Sequence, residues 1–282
     1  MAVEPILIRL GHSPDSDDAF MFYALAEGKI DTGGLRFEHI LRDIQTLNQW
    51  ATEGRLEVTA LSVHAYAYVS QRYALLTHGA SMGERYGPMV VAREPLSLEQ
   101  LRQQTIAVPG LLTSAYLQLR LALGEVQTVV LPFDQIMPAV AAGQVPAGLL
   151  IHEGQLTHGQ YGLTSVLDLG IWWDERTGGL PLPLGVNAVR RDLGPELTRR
   201  ISRLLRQSID YALDHRQAAL DHALAFARGM DTAVADRFVG MYVNDLTREM
   251  GPRGRAAIER LLSEAYDRGL LPERPEVTFV EE

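Results

Sequence analysis

Short apolar runs alternate with helical patterns from residue 6 to residue 151, and this alternation limits the folds open to the chain. The apolar runs are predicted to be buried strands; they are 6–10, 35–40, 56–61, 105–108, 126–131 and 147–151. The helical patterns between them are 15–25, 43–53, 65–69, 113–123 and 133–142. Such alternation is typical of α/β domains, in which helices connect mostly parallel strands. The sequence therefore predicts an α/β fold.

The chain is long enough for two hydrophobic cores. It has 282 residues, and a single core usually stops growing at about 250–300 residues. Two extended apolar segments flanked by Gly or Pro, 88–93 and 185–190, are predicted to connect two lobes. From residue 195 onward the pattern is wholly helical.

We therefore expect a large discontinuous α/β lobe of residues 1–90 and 190–282, and a small α/β lobe of residues 91–189. A ligand cleft is expected between them, and the helical C-terminal segment is expected to pack on the first lobe. This two-lobed organisation resembles the type II periplasmic-binding-protein fold. The likeness is one of fold and implies no particular chemistry.

Composition and missing motifs exclude several functions. The net charge is −9 and cysteine is absent, so we expect neither nucleic-acid binding, which needs a basic face, nor thiol chemistry. No apolar run reaches the ~18 residues of a membrane span, and the first residues lack a secretory signal pattern, so we expect a cytoplasmic protein. The chain has no Gly-rich nucleotide fingerprint, and we expect no cofactor.

Three acids, Asp15, Asp17 and Asp18, precede an apolar helical run. They have two interpretations, a metal site or the acidic first turn of a helix. Acids are favoured there because the helix dipole and the exposed N–H groups attract negative charge. No further carboxylate or histidine at ligand spacing accompanies them, so we expect no metal.

Thr113, Ser114 and Ala115 open a predicted helix directly after a Pro-Gly turn. The first N–H groups of a helix have no acceptor within it, and they attract anions. The N–H groups of Ser114 and Ala115 are therefore candidates for binding a carboxylate. The alternative is that Thr113 is an ordinary helix cap.

His152 follows the predicted strand 147–151, and ligands of open α/β sheets bind beyond the carboxyl ends of strands. Histidine has a pKa near neutral pH and can remove a proton from a substrate. We regard His152 as a candidate general base. A packing or capping histidine at the start of a loop is the alternative.

Several short motifs together resemble one enzyme family over nearly the whole chain. They are Ser13-Pro14 with Asp18 and Phe20, Thr46-Leu47-Asn48, Leu61-Ser62, Val108-Pro109-Gly110 with Thr113 and Ala115-Tyr116, Ile151-His152-Glu153, Asp168-Leu169-Gly170, Trp172-Trp173, Glu175-Arg176-Thr177-Gly178 and Leu182-Pro183-Leu184-Gly185. With these motifs the chain resembles the 1,4-dihydroxy-6-naphthoate synthase family of the futalosine route to menaquinone.

The resemblance implies a cytoplasmic lyase without a cofactor, which converts cyclic dehypoxanthinylfutalosine, an aromatic carboxylate, to 1,4-dihydroxy-6-naphthoate. It makes His152 the general base. The substrate-binding residues that it implies are Ala60, Leu61, Ser62, Thr113, Ser114 and Ala115. Other members have lysine where this chain has Ala60, so a cationic contact is not expected at that position and a backbone contact remains.

Two other functions fit the same fold. One is a solute-binding protein without catalysis, which would need export. The other is the sister enzyme chorismate dehydratase, whose members begin near an Arg-x-x-Tyr-Leu-Asn pattern that this chain lacks. The oligomeric state does not follow from the sequence.

Overall fold

Strands and helices alternate along the chain as the sequence predicts. The computed structural model describes residues 5–227 and 232–281. The strands are β1 (Ile6–His12), β2 (Leu35–Leu41), β3 (Val58–Ser62), β4 (Tyr73–Leu75), β5 (Ser81–Gly83), β6 (Met89–Ala92), β7 (Thr105–Val108), β8 (Gln127–Val130), β9 (Ala147–Leu150), β10 (Thr164–Asp168) and β11 (Leu182–Arg190). The helices are α1 (Ser16–Met21), α2 (Tyr23–Ala26), α3 (Ile44–Glu53), α4 (Val63–Val69), α5 (Leu98–Arg102), α6 (Ser114–Leu123), α7 (Phe133–Ala141), α8 (Gly154–Thr157), α9 (Leu169–Thr177), α10 (Gly194–Asp214), α11 (Arg216–Leu224), α12 (Thr232–Tyr242), α13 (Asp245–Arg248) and α14 (Gly251–Asp267).

The chain divides into two units, each with its own sheet. Unit 1 comprises the described residues of Met1–Ser81, Gly185–Pro252 and Pro275–Glu282, and unit 2 comprises Met82–Leu184 and Arg253–Arg274. Among the described residues, no helix has both the length and the apolar composition needed to cross a membrane.

The sheet of unit 1 runs in the order β2-β1-β3-β11-β4. Strand β1 is parallel to both β2 and β3, whereas β11 is antiparallel to β3 and β4. Helices α1, α2, α10 and α11 contribute to the core on this sheet. Helix α10 buries Ile201, Leu205 and Ile209 at helical spacing. Because β1 and β3 are parallel, their carboxyl ends, His12 and Ser62, lie at the same edge of the sheet.

The sheet of unit 2 runs in the order β10-β6-β9-β7-β8. Strand β7 is parallel to β8 and β9, so the carboxyl ends of these three strands share one edge. The segment 88–93, which we expected to connect the lobes, contains β6 instead. Strand β6 pairs with both β9 and β10 and is buried along its length, because its apolar side chains contribute to the core of this sheet.

The last helix, α14, differs from the sequence-based division of the chain, which assigned residues 190–282 to the first lobe. Most of α14 lies in unit 2. Glu264 on this helix forms an ion pair with Arg176 at 2.5 Å, and Arg268 donates a hydrogen bond to the carbonyl of Leu121. Both partners belong to unit 2. The apolar face of α14 was visible in the sequence, but its partner surface was not.

Two further segments differ from expectation. Helix α9, which includes Trp172 and Trp173, was not predicted from the sequence. Asp168 caps its start, and Trp173 is fully buried with its ring N–H donating to the carbonyl of Pro181. The tail beyond α14 is not helical: it begins with turns and bends, and Phe279 then forms a parallel bridge with Leu75.

Candidate active site

Three strand ends of unit 2 meet at one edge of its sheet. After β7 comes Thr113 at the start of α6, after β8 comes Phe133 at the start of α7, and after β9 comes His152. Strand β9 ends at Leu150, so His152 is the second residue beyond the strand. The structure therefore brings the predicted base and the predicted anion-binding helix start to the same edge of this sheet.

His152 has a left-handed backbone, with φ at +53°. Among the described residues, Arg85 is the other non-glycine residue with positive φ. This conformation costs an ordinary L-residue about 1–2 kcal/mol, and such strain often marks functional positions. The strained backbone fixes the direction in which the imidazole leaves the loop.

The imidazole of His152 packs edge-on against the ring of Phe133, with the ring centroids 5.0 Å apart. Phe133 is held near β9 because α7 approaches that strand closely at Gly148. A Cβ at Gly148 would collide with Ile136 and Val140 of α7, so glycine is required there. From the sequence, Phe133 was expected only to begin a helix; its position directly after a strand is the signal that could have identified it as a site residue.

The side chains at the start of α6 donate their hydroxyl protons within the protein. Thr113 donates to the carbonyl of Gly110 at 2.8 Å and accepts from the N–H of Tyr116, so it caps the helix as the alternative interpretation stated. Ser114 donates to the carbonyl of Leu184 at 2.5 Å. The first N–H groups of any helix lack an acceptor in a preceding turn, so the backbone N–H groups of Ser114 and Ala115 remain the candidate anion donors of this helix start.

The remaining predicted residues, Ala60, Leu61 and Ser62, are consecutive and buried on β3 of unit 1. The methyl group of Ala60 belongs to an apolar cluster with Leu47 and Leu56. This side chain therefore offers no polar contact, and any substrate contact at this position would come from the backbone.

Asn48 of α3 holds Ser62 through two hydrogen bonds. Its amide nitrogen Nδ2 donates to Ser62 Oγ, and its oxygen Oδ1 accepts from the backbone N–H of Ser62, both at 2.9 Å. Both residues are buried. From the sequence, Asn48 belongs to the motif Thr46-Leu47-Asn48 and has no predicted role.

The loop after β1 is stabilised by two carboxylates. Asp18 accepts a hydrogen bond from the backbone N–H of Ser13 at 2.7 Å, and Asp15 caps α1 by accepting from the N–H of Asp18. Burial, followed by the charge of Asp15, raises the pKa values of Asp17 and Asp18 well above their usual range. The side-chain oxygens of Asp15, Asp17 and Asp18 lie within 4.8 Å of one another. Burial and the acidic neighbours thus favour the neutral forms of Asp17 and Asp18.

His12, the last residue of β1, pairs with His39 of β2. Nδ1 of His12 lies 3.1 Å from the carbonyl of Ser13, so it must carry the proton and donate it. Nε2 then accepts from Nδ1 of His39 at 3.0 Å. Burial lowers the pKa of each ring to about 4, and the neighbouring His39 contributes for His12. Both rings are therefore neutral at pH 7. No local sequence pattern predicts this pair.

Comparison with known proteins identifies close relatives. A family model described as menaquinone biosynthesis matches residues 8–267. A protein named 1,4-dihydroxy-6-naphtoate synthase from Thermus thermophilus is 46% identical and covers 97% of this chain and 99% of its own length. A protein of the same name from Streptomyces coelicolor is 40% identical, covering 94% of this chain and 95% of its own length.

Solved structures agree on the fold. A crystal structure of a protein from Archaeoglobus fulgidus is 48% identical, with a TM-score of 0.90 over 94% of this chain and 98% of its own. A Candida albicans protein with the generic periplasmic binding protein fold is 11% identical, with a TM-score of 0.70 over 96% of this chain and 97% of its own. The predicted periplasmic-binding-protein-like fold is therefore confirmed. By the family match and the identity to both curated relatives, the chain belongs to the menaquinone-biosynthesis family that includes the 1,4-dihydroxy-6-naphthoate synthases.

Proposed function

We propose that this protein is a lyase that converts cyclic dehypoxanthinylfutalosine to 1,4-dihydroxy-6-naphthoate. The names of two relatives with nearly full-length similarity support the reaction. The observation that carries the proposal is His152, a histidine with a strained backbone beyond the end of β9. It has the chemistry and the kind of position that a general base needs.

His152 removes a proton beside a carbonyl of the substrate in this proposal, and bond cleavage then leaves an aromatic ring. Aromatisation supplies the driving force, so the enzyme has mainly to position a base. General-base catalysis is typically worth about 10²–10⁴-fold in rate. The contact with the Phe133 ring helps to orient the imidazole and supports this role.

The substrate carboxylate binds, in this proposal, to the backbone N–H groups of Ser114 and Ala115. The hydroxyl protons of Thr113 and Ser114 are already donated to carbonyl groups, which leaves the backbone as the main donor there. The ten-residue helix α6 adds the favourable potential of its N-terminus. Ser62, with the neighbouring backbone of Ala60 and Leu61, contributes a second set of contacts to the substrate.

We further propose that the enzyme works in the cytoplasm and needs neither a cofactor nor a metal. Dialysis against a chelator followed by charcoal treatment should leave turnover unchanged. A loss of turnover that returns on adding a divalent cation would contradict this part of the proposal. Fractionation of the producing cells tests the location.

The direct test is to incubate the purified protein with cyclic dehypoxanthinylfutalosine and to follow 1,4-dihydroxy-6-naphthoate by fluorescence and mass spectrometry. We expect catalytic product formation, and product formation that is about 10²–10⁴-fold slower with the His152→Asn variant purified in the same way. Chorismate is the matched second substrate. Turnover of chorismate alone would assign the sister dehydratase reaction, and tight binding without turnover of either compound would indicate a solute-binding protein.

A further inference from the structure

Ser62 occupies the capping position of α4, yet its side chain does not cap that helix. Serine is favoured at this position because its oxygen usually accepts a hydrogen bond from an N–H group in the first turn. Here that bond is absent and the hydroxyl is engaged by Asn48 instead. The local helix therefore does not explain how this hydroxyl is oriented.

The orientation of the Asn48 amide follows from its partners. The backbone N–H of Ser62 can only donate, so the amide atom that faces it must be the oxygen Oδ1. The atom that faces Ser62 Oγ is then the amide nitrogen, which can only donate. Ser62 Oγ is thus an acceptor in this bond, and its own proton must point elsewhere.

The hydroxyl proton of Ser62 has no acceptor among residues 5–227 and 232–281. Thr113 and Ser114 are different, because each donates its proton to a carbonyl group of the protein. Of these three hydroxyls in the described part of the chain, Ser62 alone keeps its proton for a ligand. A ligand atom that meets Ser62 must therefore accept a hydrogen bond.

We infer that Asn48 is a positioning residue that sets Ser62 as a hydrogen-bond donor, so that Ser62 selects a carboxylate or carbonyl oxygen of the ligand. The inference rests on the proposed function in one respect, the assignment of Ser62 as a ligand contact. Asn48 itself does not touch the ligand. It acts by occupying the acceptor side of Ser62 Oγ and by fixing the backbone of Ser62.

A double-mutant cycle tests this role. The variants are Asn48→Ala, Ser62→Ala and the two combined, with the affinity for 1,4-dihydroxy-6-naphthoate measured by calorimetry and turnover of the substrate by fluorescence. Each single change should weaken binding and raise KM about tenfold, as the loss of one buried hydrogen bond predicts, with a smaller effect on kcat. In the Ser62→Ala background, Asn48→Ala should add less than about twofold, because the group through which it acts has gone.

Thr247→Ala is the matched control. Thr247 is another fully buried residue of unit 1, and its hydroxyl donates to the carbonyl of Tyr242. This variant should lower the melting temperature without changing KM. It therefore separates a general loss of stability from a loss of positioning.

Asn48→Asp is the second variant, for the case in which Asn48→Ala does not fold. It keeps the size of the side chain and the acceptor for the Ser62 N–H, but it replaces the donor with an oxygen that takes the Ser62 proton. Binding should be weak at pH 8 and recover at lower pH, where the introduced carboxyl group becomes protonated and donates again. Asn48→Asp combined with Ser62→Ala measures the effect of the introduced negative charge alone. Binding by this double variant should recover less at lower pH.

If the parent protein is active and the losses of binding free energy from Asn48→Ala and Ser62→Ala simply add in the double mutant, the role of Asn48 is overturned. The proposed function then remains intact. Equal recovery of Asn48→Asp with and without Ser62 would do the same. A parent protein that neither turns over the substrate nor binds the naphthoate would overturn the proposed function and this inference together.

Discussion

Substitutions at His152 should separate the chemistry of unit 2 from its stability. The residue has φ at +53°, and asparagine tolerates this left-handed region better than other non-glycine residues. His152→Asn therefore removes the base and keeps the loop. We expect kcat to fall about 10²–10⁴-fold, as the loss of a general base predicts. The KM should stay within about tenfold, because the proposed carboxylate contacts come from other residues.

The backbone conformation of residue 152 predicts that substitutions there differ in stability even where they are equally inactive. His152→Val places a β-branched side chain in the left-handed region, which costs about 1–2 kcal/mol relative to asparagine. His152→Gly removes the strain, but it gives the unfolded chain more freedom, which is worth about 0.4–1 kcal/mol in the opposite direction. All three variants lose the contact with Phe133, so that loss cancels when they are compared. At about 2–4 °C for each kcal/mol, His152→Val should melt a few degrees below His152→Asn.

Thermal melts and steady-state kinetics on the same preparations rank the variants by stability and by activity. We expect the three variants to be equally inactive and His152→Val to be the least stable. Near-normal kcat in folded His152→Asn would refute the assignment of the base. A His152→Val protein as stable as His152→Asn would refute the argument from backbone strain.

Three other changes have distinct expected outcomes. Ser114→Pro removes a backbone N–H at the first position of α6. It should raise KM for the carboxylate substrate well beyond the effect of Ser114→Ala. A methyl ester of the substrate should bind both variants equally poorly. Phe133→Leu should lower kcat several-fold at unchanged KM, because the imidazole of His152 loses its orienting ring; an unchanged kcat would show that the contact has no such role. Asp17→Asn should raise the melting temperature at pH 7. The pKa of Asp17 is raised in the folded state, so its carboxyl group lowers the free energy of unfolding as pH rises above the pKa of the unfolded chain, about 4. The variant should lose this part of the pH dependence of stability. Equal melting curves of parent and variant from pH 4 to 8 would contradict this prediction.

Much of the fold could be predicted from the sequence, because the strands and helices of an α/β fold have recognisable local sequence patterns. A strand buried on both faces is a short apolar run, and a helix that follows it begins with a capping residue. The prediction of a strand at 105–108 and a helix from Thr113 shows this: β7 is Thr105–Val108, and Thr113 caps α6. Both signals lie within a few residues of the element that they define.

Other elements depend on tertiary structure. Helix α9 has a fully buried Trp173 beside a partly exposed Trp172 and little apolar periodicity, so its pattern did not indicate a helix. What stabilises it is the cap from Asp168, the burial of Trp173, and the packing of the helix against α6 and β6. The assignment of α14 to unit 2 similarly depends on Glu264 and its ion pair with Arg176, which no local pattern reveals.

The candidate site shows the same division between local and distant information. His152 and Ser62 could be proposed from the sequence because each lies at or just beyond the end of a recognisable strand. Phe133 and Asn48 lie on other elements, and only the fold brings them against those two residues. The distinction matters for chemistry, because a serine can either donate or accept and its own sequence neighbours do not decide which. At Ser62 the role of the hydroxyl follows from Asn48. The backbone N–H of Ser62 donates to Oδ1 of Asn48, so the amide nitrogen of Asn48 is the atom that faces Ser62 Oγ, and the hydroxyl oxygen must accept. The specificity of this hydroxyl is therefore a property of α3 and β3 together, and it would change with Asn48 even if every residue of the predicted binding set stayed the same.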